Sequence, residues 1–238
     1  MQNFKIIKQI NNIGSIKQYL IESSGKSYIL SHAVNNGDNN VILRASEVMK
    51  ALSNIINIPK VVDSWEKNNN YYLIEEYIDG NRLTKENITR EDINQIVNQI
   101  KKLHNIKCEN TIDKCLILAK MHMDNRLLKG SDFVIDGKDA SPETIFDYLV
   151  KNKEVFKNSC MLHGDLSLKN IIKHNSGKIY FTNWFNCIYG DYYYDLASLM
   201  WDLNGENNKQ LFDIYGEKEV DGKRLLYADY LSKFLKIN

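Results

Sequence analysis

Two stretches near the start of the chain have the short, β-rich character of strands. They are Ile16 to Ser23 and Lys26 to Val34, with Ser24-Gly25 as the turn between them. Alternation puts Ile29, Ser31 and Ala33 on one face of the second run and Leu30 and His32 on the other. The period changes at Val41. Val41, Ala45, Val48, Met49, Leu52 and Ile56 recur near helical spacing, which predicts a helix over Val41 to Ile56. Ile58 to Val62 and Tyr71 to Ile74 read as further strands, with Asn68-Asn69-Asn70 as their turn. The expectation for residues 1 to about 78 is a five-stranded antiparallel sheet with one helix, these four runs among its strands.

Beyond that point the pattern is mainly helical. Ile93, Ile96, Val97, Ile100 and Leu103 share one face of a helix from about Asn87 to His104, with Thr89 as N-cap and Glu91-Asp92 in its first turn. Thr111 to Met123 reads as helix, and Asp124 to Asp139 as a polar loop. Ser141-Pro142-Glu143 opens another helix, with proline at its first position. An apolar lead-in at Cys160 and a small hairpin from Ile171 to Thr182 follow, then helices over Tyr194–Leu203, Leu211–Gly216 and Lys223–Leu235. The fold class is α+β.

Composition narrows the partners. Among 238 residues, 31 basic and 30 acidic side chains leave a net charge of +1, without the basic excess of a general nucleic-acid binder. The four cysteines, at 108, 115, 160 and 187, form no CxxC pair, and scattered thiols suit a reducing compartment. The first residues lack the apolar core of a leader, and no apolar run approaches the length of a membrane span. A cytoplasmic protein without a membrane span is expected.

The stretch that carries chemistry is Cys160 to Leu199. His163-Gly164-Asp165 is followed at a spacing of four residues by Asn170, then by the hairpin, Asn183-Trp184, Gly190-Asp191 and Asp195-Leu196-Ala197. This order resembles the catalytic core of the aminoglycoside phosphotransferase and choline kinase family. The resemblance implies a two-lobed protein-kinase-like fold, with a nucleotide lobe at 1–78 and a catalytic and substrate lobe at 79–238. It also implies transfer of the γ-phosphoryl of ATP or GTP, with Mg²⁺, to the hydroxyl of a small molecule such as an aminosugar or amino alcohol. Phosphoryl transfer asks the protein chiefly for positioning and charge stabilisation. By the resemblance, Asp165 is the base, Asn170 and Asn183 are the metal ligands, and Asp195 fixes the backbone of the catalytic loop. Adenine lies against main-chain groups near Glu76 and Ile78, in Glu75-Glu76-Tyr77-Ile78-Asp79-Gly80, with Ile29 lining its pocket.

Three positions depart from the family pattern. Ser31 stands where the strand lysine pairs with the nucleotide phosphates, so Glu47, on the following helix, has no lysine to meet and needs another partner such as Arg44. Asn183 replaces the aspartate that binds metal. The phosphate loop, Asn11 to Ser15, holds one glycine, Gly14. The losses at Ser31 and Asn183 touch one phosphate–metal cluster. The alternative to an active enzyme is therefore a pseudokinase, a nucleotide-binding or scaffold module of the same fold. Aromatic residues between Trp184 and Trp201 read either as core or as a cage for a cationic acceptor. The acids at Asp202, Glu206, Asp213, Glu217 and Glu219 read either as a solvated face or as a site for a polycation.

Overall fold

The computed structural model describes residues 4–34, 40–109, 111–125, 128, 133–135, 138–157 and 159–236. They form two compact units. One takes the chain up to Leu83 together with Lys169–Cys187; the other is Thr84–Leu168 with Ile188–Lys236. The first unit thus covers the stretch 1–78 expected as a nucleotide lobe, runs on to Leu83 and takes in the hairpin segment from the second half of the chain.

The first unit is built on an antiparallel sheet of β1 (Lys5–Ile13), β2 (Ile16–Ser23), β3 (Lys26–Val34), β4 (Val61–Lys67) and β5 (Asn70–Glu76), in the order β1-β2-β3-β5-β4. β1 runs through the expected phosphate loop, so that loop reduces to the two-residue turn Gly14-Ser15, where Gly14 adopts φ +55°. Helix α1 (Val41–Leu52) ends a turn earlier than its periodicity suggested, and packs Ala45, Met49 and Leu52 inward. β4 starts at Val61 because Pro59 cannot donate to a ladder.

The two sheet faces differ. Ile21, Leu30 and Ile74 form an apolar cluster on one face, and His32 stacks on Tyr72 there. Cross-strand pairs Gln18↔Ser31 and Ile29↔Glu75 occupy the other. A short strand absent from the sequence reading, β6 (Gly80–Arg82), pairs with β10 (Ile171–His174), which also pairs with β11 (Ile179–Phe181). Any Cβ at Gly80 would lie 2.2 Å from the Lys173 carbonyl oxygen, so the pairing requires glycine.

The second unit is mainly helical. It contains α2 (Arg90–His104), α3 (Thr111–Asp124), α4 (Pro142–Lys151), α5 (Tyr193–Asp202), α6 (Gly205–Tyr215) and α7 (Gly222–Leu235). Thr89 and Asp92 form a reciprocal capping box at the start of α2, and Ser141 caps α4 ahead of its proline. Strands β7 (Val134–Ile135) and β8 (Lys138–Asp139) pair within the stretch expected to be loop, part of which lies outside the described residues. β9 (Cys160–Leu162) pairs with β12 (Ile188–Gly190), and both lie against the helices. The core joins Ile145, Leu149, Leu162, Tyr227 and Phe234. No helix among the described residues is long and apolar enough to cross a membrane.

Candidate functional site

The site residues fall in both units, and each group has its own logic. In the second unit, β9 delivers the chain into His163-Gly164-Asp165. The Asp195 carboxylate, fully buried in α5, accepts from the His163 N–H at 2.8 Å and the Gly164 N–H at 3.0 Å. His104 Nε2 lies 3.2 Å from the same carboxylate, and its Nδ1 is 2.8 Å from the Tyr215 hydroxyl. Main-chain donors fixed by a buried carboxylate make a rigid loop, because losing the acceptor would strand charge and polar groups without solvent. The Asp202 carboxylate anchors the other end, accepting from the Leu168 N–H at 2.7 Å.

Asp165 is 8% exposed, and Lys236 Nζ lies 3.3 Å from its Oδ1. The same ammonium is 3.1 Å from Ser198 Oγ. A carboxylate on a fixed loop, partnered by a cation, can accept a proton and is held oriented while it does so. Lys236 and His104 were missed as partners in the sequence, since nothing in the local pattern ties either to the loop.

In the first unit, Thr182 holds Asn170 by donating from both its N–H, at 2.9 Å, and its hydroxyl, at 3.0 Å, to the Asn170 carbonyl. Asn183 adopts a left-handed backbone, φ +64° and ψ 58°, which asparagine tolerates as aspartate does. Its Nδ2 donates to Asn170 Oδ1 at 2.7 Å, and its Oδ1 accepts from Gln18 Nε2 at 3.1 Å. Gln18 Nε2 also donates to Ser31 Oγ at 3.1 Å. Four buried polar side chains are therefore linked through neutral amides and a hydroxyl. Ser31 lies beneath Gln18 and is fully buried, so a lysine at this position would have to displace the glutamine.

This donor set does not fit Mg²⁺. Magnesium favours one or two carboxylates beside substrate phosphates. Asn170 and Asn183 offer uncharged amide oxygens, each already accepting a hydrogen bond. Among the described residues no group of three histidine, cysteine or acidic side chains is placed to hold a metal.

A cavity of about 260 Å³ opens on the same sheet face, lined by Gln18, Ile29, Glu75, Glu76, Ile78 and Asn183 among others. It gathers three of the expected nucleotide-pocket residues: Ile29, Glu76 and Ile78. Glu76 is half-buried, and its N–H donates to the Lys60 carbonyl at 2.9 Å. Glu47 is exposed and does not line this cavity, and Arg44 reaches instead toward the Phe185 carbonyl. Glu75 was not singled out in the sequence. It is 4% exposed, and burial pushes its carboxyl up to about 8. The signal was present: an acid in an apolar run, in step with inward-facing Leu73.

The expected cationic-acceptor features are largely engaged internally. Arg224 fills the space between the Tyr192 and Tyr193 rings, 4.6 and 3.9 Å from their centroids, and pairs with buried Asp191. Glu217 accepts from the hydroxyls of Tyr192 and Tyr193. Trp184, Phe185 and Tyr194 are buried as core, whereas Trp201 is exposed.

Comparison with known proteins places this geometry. The model of the phosphotransferase enzyme family matches residues 7–225. A LicA homolog protein from Mycoplasma capricolum is 28% identical over 182 residues, which is 76% of this chain and 70% of that protein. The chain spans between 60% and 70% of the length of the first curated relatives it matches. Among solved structures, an aminoglycoside-3'-phosphotransferase of type VIII superimposes with a TM-score of 0.79 at 16% identity, over 98% of this chain and 93% of that one. An aminoglycoside phosphotransferase from Streptomyces rimosus, in complex with ADP and streptomycin, gives 0.72 at 17% identity over 94% of each chain. At these identities the structural likeness establishes the fold.

Proposed function

Because the chain belongs to the phosphotransferase enzyme family, we propose that it is a nucleotide-dependent small-molecule phosphotransferase whose general base is Asp165. The observation that carries this reading is the loop His163–Asp165, held by two main-chain hydrogen bonds to the buried Asp195 carboxylate. That anchoring serves an aspartate whose direction matters, since a base must meet the hydroxyl proton within hydrogen-bond reach. Asp165 takes the proton of the acceptor hydroxyl as the oxygen attacks the γ-phosphorus and the bond to the nucleoside diphosphate breaks. Lys236 balances the carboxylate before the proton arrives. The purine rests in the cavity bounded by Ile29, Glu76 and Ile78, against main-chain groups of residues 76–78. The acceptor class is an aminosugar or amino alcohol, in keeping with the streptomycin-bound relative.

A specific observation favours a second reading, a nucleotide-binding module without turnover. The Gln18–Ser31–Asn183–Asn170 network replaces the charges that usually neutralise a triphosphate. Steady-state production of nucleoside diphosphate, with ATP or GTP and a panel of aminoglycosides, choline and ethanolamine, separates the two. The first reading predicts acceptor-dependent turnover that Asp165→Ala lowers by about 10²–10⁴-fold. Acceptor-dependent turnover that survives this change would remove Asp165 from the mechanism. Nucleotide binding with no turnover on any acceptor would favour the second reading.

A further inference from the structure

Glu75 is a buried acid that the phosphoryl-transfer chemistry does not use. It sits at the end of β5, paired across the sheet with Ile29, and lines the same cavity as Ile29, Glu76 and Ile78. The purine pose proposed above gives it a direction. A purine whose Watson–Crick edge lies along the main chain of residues 76–78 puts its 6-substituent beside residue 76. Its N7 edge then turns back toward residue 75. Resting on the nucleotide reading above, we infer that Glu75 selects the base: as a neutral carboxylic acid it donates its O–H to adenine N7 and accepts from the adenine N6 amine.

The chemistry is complementary for adenine and not for guanine. A protonated carboxyl has one donor and a carbonyl acceptor side by side. Adenine presents an N7 acceptor beside an N6 donor, whereas guanine presents two acceptors, N7 and O6. With guanine the Glu75 carbonyl would oppose the O6 lone pairs, a mismatch inside a desolvated pocket.

Protonation at neutral pH is set by surroundings that supply no compensating charge. The ionisable side chains lining the cavity are Lys8, Glu76, Tyr77 and Arg82. On the packed elements, β3 carries Lys26 and His32, and β4 carries Asp63, Glu66 and Lys67. Helix α1 carries Arg44, Glu47 and Lys50, all exposed. Desolvation is the sole cause of the upward displacement of Glu75 to about 8, so none of these groups holds the carboxylate in its ionised form. The acid therefore keeps its proton at neutral pH and loses it as pH rises past that value.

The experiment is calorimetric titration of the full chain with ATP, GTP and the 7-deaza analogue of ATP, for wild type, Glu75→Gln and Glu75→Met. Wild type should bind ATP more tightly than GTP and lose about three- to tenfold with the 7-deaza analogue, the range of one neutral hydrogen bond. Glu75→Gln carries the same donor and acceptor pair and should hold ATP within about twofold of wild type, without the wild type's weakening above pH about 8. Glu75→Met should lose the preference for ATP and become indifferent to N7. Thermal melts check that the variants fold. ATP binding by wild type that is unchanged by Glu75→Met and by loss of N7 would overturn the role of Glu75 while leaving the nucleotide site in place. Failure of wild type to bind any of the three nucleotides would overturn the nucleotide reading itself, and this inference with it.

Discussion

The Asp165 loop and the Asn183 cluster solve opposite problems. In the second unit, charge is concentrated and paired. Asp195 carries two main-chain donors and His104, Asp202 carries a third main-chain donor, and Lys236 lies beside Asp165. In the first unit, Ser31 and Asn183 are joined by Gln18 and Asn170 into a neutral network. Buried charge is held only where hydrogen bonds satisfy it, and buried amides can satisfy one another without any charge. The loop that the proposed reading assigns to proton transfer is thus charged and anchored, while the cluster it assigns to phosphate is held by uncharged contacts.

The contrast breaks most sharply at Asp195. Asp195→Ala strands two main-chain N–H groups and buried His104, and should cost about 3–5 kcal/mol, the range for breaking a buried charged network. Chemical denaturation reads this directly. A loss below about 1 kcal/mol would mean the loop is not held by that carboxylate.

Glu75 gives the next effect, with a pH signature. Its folded-state value of about 8 lies above the ordinary 4.5 of a glutamate. The folded protein therefore keeps a proton that the unfolded chain releases, and stability falls as pH rises through that window. Glu75→Gln removes this loss and should exceed wild type by roughly 3 kcal/mol near pH 7, with little difference near pH 4. Unfolding curves at both pH values test it. A pH-independent difference would show that Glu75 is ionised in the fold.

At Lys236 a smaller effect is expected. Its ion pair with Asp165 is partly solvated, so Lys236→Met should lower stability by about 0.5–1 kcal/mol. A much larger loss on denaturation would make the pair a structural staple instead of a local counter-ion.

Much of this arrangement was legible in the sequence. The helices show because their apolar spacing and caps are local: Thr89 with Asp92, and Ser141 with Pro142, mark their starts without help from tertiary contacts. The HGD loop was legible from its fixed spacing, and the anchoring role of Asp195 followed from the resemblance of this stretch to the family's catalytic core. What stayed hidden depends on pairing across the chain. β6 exists only because Ile171–His174 returns to meet it, and Gln18 joins the cluster through partners 13 and 165 residues away. The acids near the end of the chain left a solvated face and a polycation site both open in the sequence, and Asp202 and Glu217 serve the loop and the tyrosines.

The central claim is that the Gln18–Ser31–Asn183–Asn170 cluster is a network of neutral side chains and not a metal site. Calorimetric titration of ATP into wild type and Asn183→Asp, each with Mg²⁺ and with EDTA, tests it most directly. A charge-assisted contact contributes about 1.5–3 kcal/mol, so Asn183→Asp should gain on the order of ten- to a hundredfold in affinity with Mg²⁺ present and none in EDTA. Wild type should bind ATP with the same affinity in both buffers, within about twofold to threefold. Tightening of wild-type binding by Mg²⁺ of about tenfold or more would contradict the account.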